Sequence, residues 1–171
     1  MTIASSICSI VTRGFDEGWI VADPPDARSG QTVGVVGSGP AGLAAAAELN
    51  RHGHSVTVYE RDEGPGGLLR FGVPDAKLEK WIIDRRVALL ADEGISFEYG
   101  VDVGRDLPVA ELRSRHDAVV FAIGSRVHRD LQVPGRELRG VHFAMEYLYQ
   151  RKRYVARRLG RRVVVVGGSG G

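Results

Sequence analysis

Residues 31–60 read QTVGVVGSGPAGLAAAAELNRHGHSVTVYE, and this stretch decides the fold. A short apolar run at 33–36 leads into the glycine-rich turn GSGPAG at 37–42. An alanine-rich segment then carries the chain to a second apolar run that ends at Glu60. The pattern predicts a strand, a tight turn, a helix and a second strand. That order is the one a dinucleotide-binding site requires.

Each glycine of this turn has a physical reason. Gly37 lets the chain turn sharply off the strand, Gly39 removes a side chain where the backbone must approach a pyrophosphate, and Gly42 lets the helix lie close to the strand. The phosphates then bind free N–H groups at the positive end of the helix. Glu60 follows Gly42 by 18 residues, near the spacing of about 20 at which an acid binds a ribose. Gly53 is a predicted helix C-terminal cap.

Composition narrows the class of function. The chain has 171 residues and a net charge of +2, which argues against nucleic-acid or membrane-surface binding and favours a small-molecule site. It contains neither an apolar run of 18 residues nor a secretory N-terminus, so we expect a cytoplasmic protein. Cys8 is the only cysteine, which excludes a disulfide or an all-cysteine metal site within this chain, and we predict no metal site. We also predict no catalytic side chain, as fits a cofactor that carries the chemistry itself.

The rest of the chain continues the alternation of strands and helices. We predict a strand over 7–11, a short helix or turn over 15–20, a break at 23–26, a helix over 75–93 ended by Gly94, a strand over 95–99, a helix over 108–115 and a strand over 118–123. The order β-α-β-α-β-α-β predicts an α/β fold of Rossmann type. Its sheet is mostly parallel and doubly wound, with the ligand at the carboxyl ends of the strands.

A further helix is predicted over 143–159, and the chain then reads VVVVGGSGG at 163–171. The arginine-rich stretch at 151–162 is interpreted as a solvated helical face; an acidic partner or a 2′-phosphate is the alternative ligand. The final apolar run and its glycines indicate a strand and turn that begin a second nucleotide-binding unit.

Several longer segments occur together with the glycine turn and Glu60. They are GFDEGWI at 14–20, GPGGLLRFGVPDAKLEK at 64–80, EYGVDVG at 98–104, AVVFAIGS at 118–125 and LQVPGRELRGVHFAMEYL at 131–148. This set resembles the small subunit of NADPH-dependent glutamate synthase, within the pyridine nucleotide-disulfide type of oxidoreductases. The resemblance implies an FAD-dependent NADPH oxidoreductase that passes electrons to a large subunit, which makes glutamate.

The resemblance also implies a set of FAD-binding residues. The glycine turn would hold the pyrophosphate and the end of the second strand the adenosine ribose. The 67–70 loop would pass near the ribityl and isoalloxazine groups, Val103 would touch adenine, and a later strand end would lie under the cofactor. The whole set is Gly37, Ser38, Gly39, Pro40, Ala41, Gly42, Glu60, Arg61, Gly67, Leu68, Arg70, Val103, Ala122, Gly124 and Ser125. For Val103 the alternative is a place in the sheet core, and for Arg70 a simple ion pair with Asp75.

The chain also departs from this family. Its relatives begin with a cysteine-rich iron–sulfur domain, and their second glycine motif reads like GGGDTG, whereas Ser169 stands at the third glycine here. We therefore interpret the chain as partial: an N-terminal segment or linker over 1–30, an incomplete FAD-binding domain over 31–160, and the first strand and turn of an NADPH-binding domain over 161–171.

On this interpretation NADPH binds only when the missing second domain is supplied. The expected partners are the large subunit of glutamate synthase and a separate chain that carries the NADPH-binding domain. Two other functions stay open: an NAD-binding module of an ordinary dehydrogenase, because Glu60 serves an NAD ribose equally well, and a non-catalytic remnant that docks on a larger subunit.

Overall fold

The computed structural model describes residues 3–125, 130–152 and 162–167. Within these ranges the strands are β1 (Thr32–Val36), β2 (Ser55–Glu60), β3 (Ser96–Tyr99) and β4 (Ala118–Phe121). The helices are α1 (Ile3–Asp16), α2 (Pro40–Arg51), α3 (Leu68–Phe71), α4 (Lys80–Asp92), α5 (Val109–Arg115) and α6 (Ala144–Lys152).

The described strands form one parallel sheet in the order β3-β2-β1-β4. β1 lies between β2 and β4, and its Val35 is in register with Val58 on one side and Val120 on the other. The strand order reverses at β1, since the chain first adds strands on one side of it and later returns to the other. This confirms the predicted parallel, doubly wound α/β sheet.

The sheet is covered on both faces. Successive β1 residues point to opposite faces, so Val35 belongs to one core cluster and Val36 to the other. The first cluster packs α2 and the end of α4 against the sheet and consists of Val33, Val35, Ala46, Val56, Val58, Leu90 and Ile95. The second packs α5 against the sheet and consists of Val36, Tyr59, Leu107 and Leu112. Burial on both faces explains why β1 is a continuous apolar run rather than an alternating one.

A side chain from the N-terminal segment links the C-terminal ends of two helices near the amino ends of β2 and β3. Arg28 donates hydrogen bonds to the Asn50 side chain (2.6 Å), to the carbonyl of His54 (2.9 Å) and to the carbonyl of Glu93 (3.1 Å). These acceptors lie at the C-terminal ends of α2 and α4, where helix carbonyls lack intrahelical partners. Gly53 ends α2 and Gly94 ends α4, each at positive φ, as predicted. The sequence pattern did not predict this role of Arg28.

The predicted strand over 7–11 is wrong, because these residues belong to α1. Isoleucine and valine favour strands, but Ile3, Ile7 and Ile10 also recur at helical spacing. The helix is held by contacts that a local pattern does not show: the Arg85 guanidinium of α4 lies 3.9 Å from the centre of the Phe15 ring and 4.8 Å from that of Trp81.

The predicted helix over 75–93 begins later, at Lys80. Pro74 starts a turn in which its carbonyl accepts hydrogen bonds from the backbones of Lys77 and Leu78. The Lys80 ammonium donates to the carbonyls of Val73 and Leu78 and so closes this turn. The buried face of α4 is Ile83, Val87, Leu89 and Leu90, whereas Trp81 is 45% exposed.

The predicted strand at 163–166 is not formed in the described part of the chain. The four valines are 56–87% exposed and pair with none of the described strands. A strand is stable only beside a partner that shares its hydrogen bonds, so the apolar run alone is insufficient. The predicted 143–159 helix is observed as α6, and its residues 153–159 lie outside the described ranges. None of the helices described is long and apolar enough to cross a bilayer.

Candidate nucleotide-binding site

A cavity of about 640 Å³ opens at the carboxyl ends of β1, β2 and β4. Such a crevice, at the point where strand order reverses, is where parallel α/β sheets bind their ligands. Most of the predicted site residues line it, namely Gly37, Gly39, Pro40, Ala41, Glu60, Arg61, Gly67, Leu68, Val103, Ala122, Gly124 and Ser125. The volume lies within the usual range for small-molecule and cofactor sites.

The glycine turn forms the floor of the cavity, and its glycines differ in what a side chain would meet. A Cβ on Gly42 would lie 1.8 Å from the Gly37 carbonyl oxygen, so only glycine lets α2 pack this closely. Gly37 has φ +101°, and its Cβ would lie 2.5 Å from the Ala122 carbonyl oxygen. A Cβ on Gly39 would meet nothing within 4 Å, and the backbone there is in an ordinary extended conformation. The fold therefore requires glycine at positions 37 and 42, whereas Gly39 leaves open space in the cavity.

The N-terminus of α2 faces this open space. Gly39 is the N-cap, Pro40 occupies the first turn and no side chain caps the helix. The N–H groups of a first helical turn have no intrahelical acceptor, and the helix dipole places partial positive charge there. Pro40 and Ala41 line the cavity. The arrangement suits a phosphate or another anion.

Glu60 ends β2 at the cavity wall with only 4% of its surface exposed. One carboxylate oxygen accepts hydrogen bonds from the Ser38 backbone N–H (3.0 Å) and from the Ser38 hydroxyl (2.5 Å). The other oxygen accepts the Asp62 backbone N–H at 2.9 Å. A carboxylate offers about four acceptor positions. Glu60 therefore locks the glycine turn to β2 and still has acceptor capacity for a ribose hydroxyl.

A second glycine loop lies directly on the first. The backbone N–H of Gly66 points at Ser38, 3.0 Å from its carbonyl oxygen and 3.2 Å from its hydroxyl oxygen. A Cβ on Gly67 would lie 3.1 Å from the Cα of Gly39. The chain then enters the short helix α3, whose first residue, Leu68, lines the cavity. Two loops from distant parts of the sequence thus form one continuous wall.

Three predicted site residues do not line the cavity. Ser38 is completely buried with its hydroxyl on Glu60, and Gly42 is buried under the turn. The Arg70 side chain donates from Nε to the Pro65 carbonyl at 2.5 Å and forms an ion pair with Asp84. The alternative pairing with Asp75 is wrong, since the Asp75 carboxylate lies 3.4 Å from the Lys80 ammonium. These residues shape the walls rather than the inner surface.

Other lining residues were not predicted. They are Val36, Tyr59, Val101, Asp102, Phe121 and Ile123. Val36, Tyr59 and Phe121 lie at strand ends, so the rule that ligands bind at the carboxyl edge of a parallel sheet would have found them. Val103 lines the cavity and also packs against the second core cluster, so its two predicted roles are compatible.

Below the cavity, Tyr59 contacts a histidine from the loop before β4. Its hydroxyl lies 2.9 Å from Nε2 of His116, and the two rings meet edge to face at 5.7 Å. Burial raises the pKa of Tyr59, with a further contribution from Glu98. Burial, followed by the nearby Arg115 charge, lowers the pKa of His116. Both groups are therefore neutral at pH 7, with Tyr59 in the second core cluster and the partly buried His116 packed against its ring.

The fold and the cavity together define a Rossmann-type nucleotide-binding unit. Residues 31–170 match the family described as pyridine nucleotide-disulphide oxidoreductase. The chain belongs to this family, whose members are oxidoreductases.

Within this family, the chain is similar to several proteins named as glutamate synthases or their small chains. The chain is 53% identical over 148 residues to the glutamate synthase [NADPH] small chain of Mycobacterium tuberculosis, covering 86% of this chain and 30% of that protein. It is 44% identical to the corresponding small chain of Bacillus subtilis, covering 94% of this chain and 35% of that one. With the glutamate synthase [NADH] of Schizosaccharomyces pombe it shares 46% identity, over 94% of this chain and 8% of that protein. The chain spans about a third of the bacterial relatives and less than a tenth of the fungal one.

Solved structures agree with these relatives. Mycobacterium tuberculosis FprA in complex with NADPH superimposes with a TM-score of 0.64 at 32% identity, over 70% of this chain and 28% of that one. A 2-naphthoyl-CoA reductase in complex with 2-naphthoyl-CoA gives a TM-score of 0.60 at 26% identity, over 81% of this chain and 20% of that one. The described part of the chain thus has the fold of a nucleotide-dependent oxidoreductase domain.

Proposed function

We propose that the cavity binds FAD and that the chain is the flavin-binding part of an NADPH-dependent oxidoreductase of the glutamate synthase small-chain type. One observation carries the proposal: Gly39 leaves open space at the N-terminus of α2, within a turn whose other glycines are required by packing. Space that the fold does not need, beside unsatisfied helix donors, suits the pyrophosphate of a dinucleotide.

The residues around this space fit the remainder of FAD. Glu60 has acceptor capacity for the adenosine ribose, and Arg61 lies beside it on the cavity wall. Val101 and Val103 form an apolar wall suited to adenine. The Gly67–Leu68 end of the cavity suits the ribityl and isoalloxazine groups, and Arg70 supports the loop from outside.

A bound flavin would supply hydride and electron transfer. The chain's own residues bind and orient: the α2 N-terminus binds phosphate, and Glu60 holds both the ribose and the glycine turn. The neutral Tyr59 and His116 keep charge out of the core beneath the site. None of the lining residues is required as an acid, a base or a nucleophile.

The same proposal covers partners. Relatives named as small chains of glutamate synthase support a larger subunit as the electron acceptor, and in Schizosaccharomyces pombe the matching segment is part of one long chain named glutamate synthase. The family match extends to residue 170. We assign residues 161–171 to a second nucleotide-binding unit, the one that binds NADPH, because the apolar run at 163–166 is again followed by a glycine-rich stretch.

The test compares two glycine substitutions in the 171-residue chain by calorimetric titration with FAD. Gly39→Ala places a methyl group in the open space at an unstrained backbone position. We expect it to melt like the wild type, because the methyl group meets no protein atom. It should bind FAD roughly 10- to 100-fold more weakly, because the methyl group occupies space that the bound pyrophosphate needs. Gly42→Ala is the contrasting variant. Its methyl group would overlap the Gly37 carbonyl, so we expect a lower melting temperature.

Titration with NAD separates this proposal from an ordinary dehydrogenase module, because Glu60 suits the ribose of either dinucleotide. We expect FAD to bind more tightly than NAD. The proposal is wrong if NAD binds the wild type more tightly, or if Gly39→Ala leaves FAD affinity unchanged. A chain that binds neither nucleotide would indicate the non-catalytic docking function instead.

A further inference from the structure

The wall of the cavity at Leu68 is formed by a helix that is unstable on its own. α3 has only four residues, and no side chain caps its N-terminus. Forming a single helical turn costs more conformational entropy than its hydrogen bonds return, so an isolated turn does not persist in water. The position of Leu68 must therefore be set by contacts outside α3.

Two contacts hold α3 from opposite ends. At its N-terminal end, the Gly66 N–H is bonded to Ser38, which places Gly67 on the glycine turn. At its C-terminal end, Phe71 is 5% exposed, and its ring stacks on Tyr149 of α6 with the centroids 5.8 Å apart and the planes inclined by 19°. This separation is typical of favourable offset stacking. α3 is thus clamped between the nucleotide turn and α6.

We propose that α6 is the buttress of the Leu68 end of the cavity and that Tyr149 is the positioning residue through which it acts. This inference rests on the proposed function, in which that end of the cavity receives the isoalloxazine group. On that proposal the adenosine and pyrophosphate lie at Glu60 and the N-terminus of α2, and Glu60 is fixed by Ser38 and Asp62 rather than by α6. Tyr149 therefore affects recognition of the flavin end of FAD and not of the adenine nucleotide end.

The position of α6 in the chain also couples the flavin end of the cavity to the segment that follows α6. Among the described residues α6 is the last helix before the apolar run at 163–166, which we assign to the second nucleotide-binding unit. Two binding events that share one element are coupled, and the coupling is reciprocal. Flavin binding that orders α3 also favours the docked position of α6, next to the segment that leads to the second unit.

The test uses Tyr149→Leu, which keeps apolar bulk but removes the stack, and Tyr149→Phe as the matched control that keeps the ring. FAD and ADP are each titrated into the 171-residue chain. For Tyr149→Leu we expect FAD to bind about 3- to 10-fold more weakly, as the loss of one aromatic stack predicts, with ADP affinity unchanged. Because Tyr149→Phe keeps the ring, it should lose less FAD affinity than Tyr149→Leu and leave ADP affinity unchanged.

The inference is overturned if Tyr149→Leu binds FAD like the wild type, if it loses FAD and ADP equally, or if Tyr149→Phe is equally impaired. A wild-type chain that binds ADP but not FAD would overturn the proposed function, and this inference with it. Hydrogen exchange on the wild type gives a test without a substitution. FAD, but not ADP, should slow amide exchange over residues 144–149, and equal protection by the two ligands would contradict the buttress.

Discussion

Replacing Glu60 by glutamine tests whether this acid serves the fold, the ligand or both. The glutamine is isosteric but neutral, and one of its terminal atoms donates where the carboxylate accepted. If its oxygen keeps the two bonds from Ser38, its amide nitrogen faces the Asp62 backbone N–H, and that hydrogen bond is lost. The bonds from Ser38 also change from charged to neutral.

The magnitude follows from these contacts. Hydrogen bonds to charged groups contribute about 1.5–3 kcal/mol and neutral ones about 0.5–1.5 kcal/mol. Two weakened bonds and one lost bond at a buried site therefore give a loss of roughly 2–4 kcal/mol in the free energy of unfolding. For a chain of this size, that corresponds to a melting temperature lower by roughly 5–15 °C. A weakened ribose bond costs about 1 kcal/mol more on binding, so FAD affinity should fall about fivefold.

Thermal melting of the unliganded chain and calorimetric titration with FAD measure the two effects separately. Glu63→Gln is the matched control, because Glu63 is exposed on the loop that follows β2 and lies outside the cavity lining. It should change the unfolding free energy by at most about 0.5 kcal/mol. A double-mutant cycle with Ser38→Ala should show a coupling of about 0.5–3 kcal/mol. Equal melting temperatures for Glu60→Gln and Glu63→Gln would refute the structural role, and equal FAD affinities would remove Glu60 from the site.

Two further predictions concern stability away from the cavity. Arg28→Ala should lower the unfolding free energy by about 1–3 kcal/mol in urea melts, since it removes hydrogen bonds at two helix ends. Arg86→Ala is the control and should not lower it, because Arg86 is exposed. A loss of FAD affinity in Arg28→Ala would contradict its placement at the amino ends of the strands, away from the cavity. In a pH series of melts, stability should fall as pH drops below about 6.5, because burial lowers the pKa of His116 in the folded chain and the unfolded chain takes up the proton first. His116→Gln should flatten this slope while leaving a later loss below about pH 3.8 from Asp117, whose pKa is lowered by hydrogen bonds from Thr32; an unchanged slope near pH 6 would assign it to another group.

The sequence by itself determined the elements whose reasons are local. The turn at 37–42, the helix after it and the acid at Glu60 follow from residue types a few positions apart. Helix ends at Gly53 and Gly94 also follow, because a positive φ is a property of one residue. The parallel order was predictable too, since a helix between consecutive strands leaves few alternatives. These features place the cavity at the carboxyl edge of the sheet.

The tertiary structure alone decided which side chains meet. Ser38 turns its hydroxyl to Glu60, Arg70 pairs with Asp84, and Tyr149 stacks on Phe71. The partners in these contacts are 14 or more positions apart, and several partners of similar chemistry lie at comparable distances along the chain. α1 shows the same limit, because its β-branched residues fit a strand or a helix until Arg85 packs on Phe15. Local preferences differ by less than the energy of such packing, so the assembled fold decides the outcome.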